Sequence, residues 1–379
     1  MKETTGAKTE NHTVEIGNLP RMNQSKSTQR MTMSARMNTF LTIAPFVCAL
    51  LVAAIHCHID SPPMGSVEVW IPNWVAYGVA PAAVPIFLMI SGFLFFLTAD
   101  SMRQVAKKML RRVRTVLLPF LAWSAAYYVA FNAGASLLGS ENVHVDWSLL
   151  GILKGVIFYK YAYAMWFMFV LVGLVILSPV IYWILKSRIA TVAVIGLASV
   201  MAVLQPLFHL NLEIVIDGES KVLFAWNCFL AYFCGCAASK IDYEAWIDRL
   251  TRISYPAVVA GLAVTGSLDT LIFGKLIPCF HERIAVPGVT VLMVILLFKI
   301  AHDNQNANAR IIPAVSTMSV YGIHPIVALI TWQLLSRLPI PMLAVYFLRV
   351  ILTLSISCAA SVLIRKIKPL NFVLNGNRQ

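Results

Sequence analysis

The sequence predicts an all-α fold, a polytopic integral membrane bundle of about ten transmembrane helices. Three observations predict it. Of 379 residues, 59% are hydrophobic and only 12% charged, far from the composition of a soluble domain. Ten apolar runs approach the length that crosses a bilayer, about 17–25 residues. The cations alternate between the loops. With the N-terminus in the cytoplasm, 23 of the 30 Lys and Arg fall on the cytoplasmic side, 6 fall outside, and Arg349 lies within a span. A missed or extra helix would scramble that split, so ten spans with both termini cytoplasmic is the expected topology.

Three regions follow in order. Residues 1–37 are rich in Ser, Thr, Asn and Lys, lack an apolar run, and read as a disordered cytoplasmic tail. They do not read as a secretory signal, because the polar stretch is long and a full span follows it. Residues 38–368 hold the spans, and residues 369–379 read as a C-terminal cytoplasmic tail. The first span, Phe40–Ile59, ends among His56 and His58. The second, Val79–Thr98, contains Ser91-Gly92, which suits close helix packing better than nucleophilic chemistry, since no neighbouring base is visible. A short basic loop with Arg103, Lys107, Lys108, Arg111, Arg112 and Arg114 leads to the third span, Thr115–Leu138. Those cations suit either of two roles: fixing topology, or gripping an anionic cofactor through the planar donor fork of Arg. Asp146 to Phe158 has the spacing of a short amphipathic helix lying on the outer surface.

Met165–Leu185 and Ile189–Phe208 flank a turn with Lys186 and Arg188. Val222–Ser239 carries Cys234-Gly235-Cys236, where a small packing residue is expected. Ile253–Phe273 contains Asp269, and Ile284–Ile300 follows. Ile311–Leu335 contains His324-Pro325, and Pro341–Ile364 contains Arg349. The formal charge of +13 is too unevenly distributed to indicate a nucleic-acid partner. The seven Cys have no metal-ligand spacing and form no disulfide framework, so no metal is predicted. The outer loops hold Asp60, Glu68, Glu141, Asp146, Glu213, Asp217, Glu219 and Glu282 beside Trp70, Trp74, Tyr77, Trp147, Tyr159, Tyr161 and Tyr163. Acids beside rings suit a sugar, though Trp and Tyr also gather at membrane interfaces unaided.

Ionisable groups inside spans are costly and mark function. They are His56, His58, Asp269, His324 and Arg349. His56 and His58 are about 200° apart on a helix, so only one faces the bundle. The row beneath His56 is Ala53, Val52, Ala49 and Cys48, mostly small and fit for close packing, whereas Ala54, Leu51, Leu50 and Val47 beneath His58 are bulkier and suit lipid. His56 is the inward one. Neutral imidazole can take a hydroxyl proton or carry an acyl group. Counted from Phe40, His56 lies roughly 24 Å from the inner end, near the outer face. His324 sits near mid-span, where Pro325 can kink the helix, and it suits either a channel lining or a satisfied kink residue.

Several segments together resemble the acyltransferase-3 family of membrane O-acyltransferases. They are VPIFLMISGFLFF (Val84–Phe96), the Arg-rich stretch, LLPFLAWSAAYY (Leu117–Tyr128), AMWFMFVLVGLVILSP (Ala164–Pro179) and SVYGIHP (Ser319–Pro325). LLVAAIH (Leu50–His56) resembles the family's first-helix segment that ends in a catalytic His. The resemblance implies transfer of an acyl group, an acetyl group first of all, from cytoplasmic acyl-CoA to a hydroxyl of a cell-surface glycan or glycolipid. His56 and His324 are then the candidate catalytic residues. Lys108, Arg111, Arg112 and Arg114 would bind the phosphates of the donor. Trp166, in the match to the family's Leu-Trp-Phe helix, and Arg349 are the candidate substrate-binding residues. The sequence departs from the family pattern at Pro45 and Thr42, where an Arg and an acidic residue usually stand. A transporter exporting a polysaccharide or lipid-linked sugar is the alternative from a different class, and an inactive scaffold is a third.

Overall fold

Each of the ten apolar runs contributes a helix to the computed structural model, which describes residues 33–58, 67–138, 145–208, 210, 212–216, 219–273, 285–304 and 315–376. Most of the N-terminal tail and the acidic positions Asp60, Glu141, Asp217 and Glu282 lie outside the described residues. The first span is α1 (Ala35–His56). The second is broken. It runs through α2 (Val67–Asn73), a π-helical stretch at Trp74–Val79, a 3-10 turn at Ala80–Ala82 and α3 (Ala83–Phe96). Trp70, Trp74 and Tyr77 therefore belong to this 27-residue apolar stack and not to an outer loop. Pro72 and Pro81 each remove a helical donor along this stretch. Inside a bilayer such breaks survive where a neighbouring helix covers them.

A larger correction concerns the basic segment. It is not a loop but the first third of α4 (Met102–Leu138), a 37-residue helix. The local reason is a capping box: Gln104 Oε1 accepts from the Asp100 and Ser101 amides at 2.8 and 3.2 Å, while Ser101 Oγ accepts from the Gln104 amide at 3.3 Å. After that start, Val, Ala, Lys, Met, Leu and Arg continue the helix without a Gly or Pro before Pro119. The expected surface helix is α5 (Leu149–Ile157), N-capped by Ser148. Its Leu149, Leu150, Leu153 and Ile157 are exposed, as an apolar face resting on lipid requires.

Beyond a 3-10 turn at Tyr163–Met165 come α6 (Trp166–Ile176) and α7 (Ser178–Leu185), bent by 56° where Pro179 opens the second helix. Next is α8 (Arg188–Phe208). The run expected to span from Val222 instead begins as a hairpin, β1 (Leu212–Ile216) paired antiparallel with β2 (Glu219–Phe224), and becomes helical only in α9 (Trp226–Ala238). The remaining helices are α10 (Tyr243–Thr251), α11 (Tyr255–Phe273), α12 (Val286–Asp303), α13 (Thr317–Leu335), α14 (Met342–Lys366) and α15 (Lys368–Asn375). Among the described residues, seven helical segments are long and apolar enough to cross a membrane, and eight if the bent α6–α7 pair is one span. Of the other two expected spans, α9 is 13 residues and α11 is 19 residues with Asp269 inside.

α3 and α9 approach at their backbones. A Cβ on Gly92 of α3 would collide with the Tyr232 carbonyl of α9, and one on Gly235 of α9 would strike Met89 of α3. Such small-residue seams are how membrane helices approach closely without a hydrophobic driving force between them. At the end carrying the basic stretch, polar ties join the elements. Arg36 on α1 bridges Glu244 at 2.7 Å and Asp248 at 2.6 Å on α10. Lys108 Nζ donates to the Phe95 carbonyl and Thr98 Oγ1, both at 2.6 Å, and Lys240 pairs with Asp100 at 2.9 Å. Lys299 Nζ donates to the Thr251 carbonyl at 2.8 Å.

Candidate active site

The site begins with the buried face of α1. Cys48, Ala49, Val52 and Ala53 are all buried, so the small row beneath His56 does face the bundle. His56 is the last residue of α1 and is half-buried. His58 lies beyond the helix end. Its Nδ1 donates to the Ile55 carbonyl at 2.6 Å, and its ring packs edge-on against Tyr77 with centroids 5.2 Å apart. It therefore meets the broken second span where lipid was expected. The row beneath it is packed as well, with Ala54 buried and Leu50 resting on a cluster shared with α13 and α14.

The α1 terminus would leave carbonyls without intrahelical donors. Arg349, buried on α14, supplies some: Nη1 donates to the Cys57 carbonyl at 2.7 Å and to the His58 carbonyl at 3.1 Å. Its Nη2 reaches the Ala328 carbonyl of α13 at 3.2 Å, and the guanidinium sits 4.8 Å from the Trp332 ring centroid. Around it, Ala54, Cys57, Ala328, Tyr346 and Val350 form one buried cluster joining α1, α13 and α14.

The facing wall is α13. Pro325 deprives it of one backbone donor, and outside groups hold the altered turn. Tyr127 Oη of α4 donates to the Gly322 carbonyl at 2.9 Å. The Trp123 ring occupies the space where a Gly322 side chain would be, and Trp123 Nε1 donates to the Leu374 carbonyl of α15 at 3.2 Å. Tyr321 Oη donates to the Ala164 carbonyl, tying α13 to the turn before α6.

These constraints bring His324 against His56, with ring centroids 5.0 Å apart and planes 34° apart. The sequence had placed the two at different depths. They are neighbours because α1 packs directly against α13, which a residue count along α1 alone does not encode. Tyr163 packs edge-on to His56 at 5.0 Å, and Tyr321 edge-on to His324 at 5.4 Å. His324 is 1% exposed. Its Nδ1 lies 3.2 Å from the Val320 carbonyl, which can only accept, so Nδ1 bears the proton and Nε2 the lone pair. That Nε2 is buried and has no hydrogen-bond partner among the described residues.

Of the remaining expected residues, Trp166 opens α6, half-buried beside the turn carrying Tyr163. Arg111, Arg112 and Arg114 lie exposed on α4, with Arg111 and Arg114 in one row with Arg103 and Lys107. Arg114 is about 14 Å along that helix from Trp123, which touches the His324 wall. Lys108 instead closes the end of α3. Tyr127 and Tyr321 were missed as site residues, although Tyr321 belongs to the Tyr-x-x-His-Pro motif; Tyr163 was one of the outer-loop rings read as suiting either a sugar or the membrane interface. Among the described residues, no group of His, Cys, Asp and Glu is arranged to hold a metal.

A family model described as an acyltransferase domain, that of the acyltransferase-3 family, matches residues 38–364. The chain belongs to this family. It is an acyltransferase, and its several apolar helices make it a multi-pass membrane protein. The match runs from the first turn of α1 to the last turns of α14, so every residue of the acyltransferase's histidine pair lies within it. No curated protein and no solved structure matched the chain.

Proposed function

We propose that this acyltransferase moves an acetyl group from cytoplasmic acyl-CoA to a hydroxyl of a cell-surface glycan or glycolipid, with His56 as the base. The observation that carries the proposal is the contact of two imidazoles inside the bundle, 5.0 Å between centroids, one partly buried and the other fully buried. His56 removes the acceptor's proton as the hydroxyl oxygen attacks the thioester carbonyl. The acyl–oxygen bond forms, the acyl–sulfur bond breaks, and the CoA thiolate takes up the proton. His324 supports that step from behind, because its Nε2 lone pair is directed away from its own helix's carbonyl and can receive a proton or orient the first ring. Tyr163, half exposed, and Trp166 are the groups proposed to contact the acceptor. Arg111, Arg112 and Arg114 are proposed to bind the donor phosphates, with Lys108 beside them.

The test is transfer or hydrolysis of labelled acetyl-CoA by the purified chain, with His56→Ala and His58→Ala compared side by side. His56→Ala is expected to lose a factor of about 10²–10⁴ in rate while His58→Ala stays near wild type. Full activity in His56→Ala sinks the proposal. Mass analysis of surface glycans from cells with and without the gene then identifies the acceptor.

A further inference from the structure

Arg349 stands where a substrate contact was expected, yet its guanidinium faces backbone. We propose that Arg349 is a positioning residue: it clamps the end of α1 to α13 and so sets His56 against His324. The inference deepens the acyl-transfer proposal and rests on it. Three donor contacts carry the argument. Nη1 holds the carbonyls of Cys57 and His58, the two residues that follow His56, at 2.7 and 3.1 Å. Nη2 holds the Ala328 carbonyl, one turn beyond His324 on α13, at 3.2 Å. One planar group thus grips both helices that bear the paired rings.

The chemistry favours Arg in this place. A cation at a helix C-terminus meets the negative end of the dipole and replaces missing donors for the last carbonyls. The guanidinium donates in fixed directions, so it transmits geometry between the two helices, whereas an ammonium presents a point charge. Its outer face is closed by Trp332 and its surroundings by Tyr346 and Val350, which exclude water from the clamp. The residue is 5% exposed, leaving little surface for an acceptor to touch.

The experiment uses the full chain in detergent or nanodiscs, with variants Arg349→Gln, Arg349→Lys, His56→Ala and the double variant His56→Ala/Arg349→Gln. A positioning role predicts that Arg349→Gln loses kcat with KM for both substrates unchanged, and that Arg349→Lys restores part of the loss. The double variant should be no slower than His56→Ala alone. Raised acceptor KM at unchanged kcat, or a further loss in the double variant, would overturn it in favour of a substrate contact.

A readout independent of turnover protects the test. Carbethoxylation of His56, followed by mass spectrometry on the folded protein, is expected to change several-fold in Arg349→Gln and Arg349→Lys, with exposed His302 as the unchanged reference. Unchanged His56 reactivity in both variants overturns the clamp. If His56→Ala were fully active while His56 reactivity still shifted in the Arg349 variants, the catalytic proposal would fall and the clamp would stand.

Discussion

At the residue scale, the histidines were legible in the sequence but their partnership was not. A cost in free energy marks any ionisable group in a span, so His56 and His324 stood out together with His58, Asp269 and Arg349, and the family resemblance singled out those two as catalytic candidates. The small row beneath His56 gave its direction, because helical periodicity is exact enough over two turns to separate it from His58. Contact between rings on the first and the late helix depends on where each helix starts and how it tilts, which no local pattern encodes. The contact makes a prediction. If His324 acts through His56, His324→Ala should lose rate by about 10²–10⁴, and the double variant His56→Ala/His324→Ala should be about as slow as the slower single variant. Single-turnover rates on the three proteins measure this. Losses that multiply would mean the two imidazoles act in separate steps.

At the scale of elements, most helices were visible as apolar runs, and the errors sit where capping or turn chemistry competes with that signal. Ser101-Met102-Arg103-Gln104 is a capping box, and it turns a presumed loop into the start of α4. Antiparallel pairing of Leu212–Ile216 with Glu219–Phe224 competes with the apolar signal, which is why the run from Val222 opens as strand β2. Replacing Ser101 and Gln104 together by Ala should cost about 0.5–2 kcal/mol at the start of α4. The loss should appear as a lowered melting midpoint and faster proteolysis near Arg103, with α3 loosened too, since Lys108 would no longer be held over the Phe95 carbonyl. An unchanged melt would mean the cationic extension is held by something other than its cap. A second element-scale test concerns α13. At Gly322 a methyl group has no room against the Trp123 ring, so Gly322→Ala should displace α4 from α13 and depress activity without touching either histidine. Trp123→Phe in the same chain, by removing ring atoms, is expected to recover part of the loss.

At the scale of the molecule, charge decides orientation and joins the fold to the reaction. Elements expected on one side are tied to one another at one end: α1 to α10 through Arg36, α3 to α4 through Lys108, and α11 to α12 through Tyr255 Oη donating to Asp303 at 2.5 Å. That grouping is what alternating spans would produce, and the excess of cations there makes the cytoplasm the expected side, which a topology test checks. Reporter fusions after Arg114 and after Ser220 should therefore lie on opposite sides. The same end presents Arg111, Arg112 and Arg114 on α4, whose continuation carries Trp123 and Tyr127 to the histidine wall. One continuous helix thus connects the cations proposed to bind the donor phosphates to the proposed histidine site. Replacing all three Arg by Gln should weaken acetyl-CoA binding, each lost charge-assisted hydrogen bond costing about 1.5–3 kcal/mol. The effect should shrink with added salt, because exposed charges are screened within about 10 Å at 0.1 M ionic strength. Titration of the purified variant with CoA measures it, and reporter fusions in the same variant check that insertion is unaltered. Wild-type CoA affinity in a correctly inserted variant would leave these cations only the task of orienting the chain.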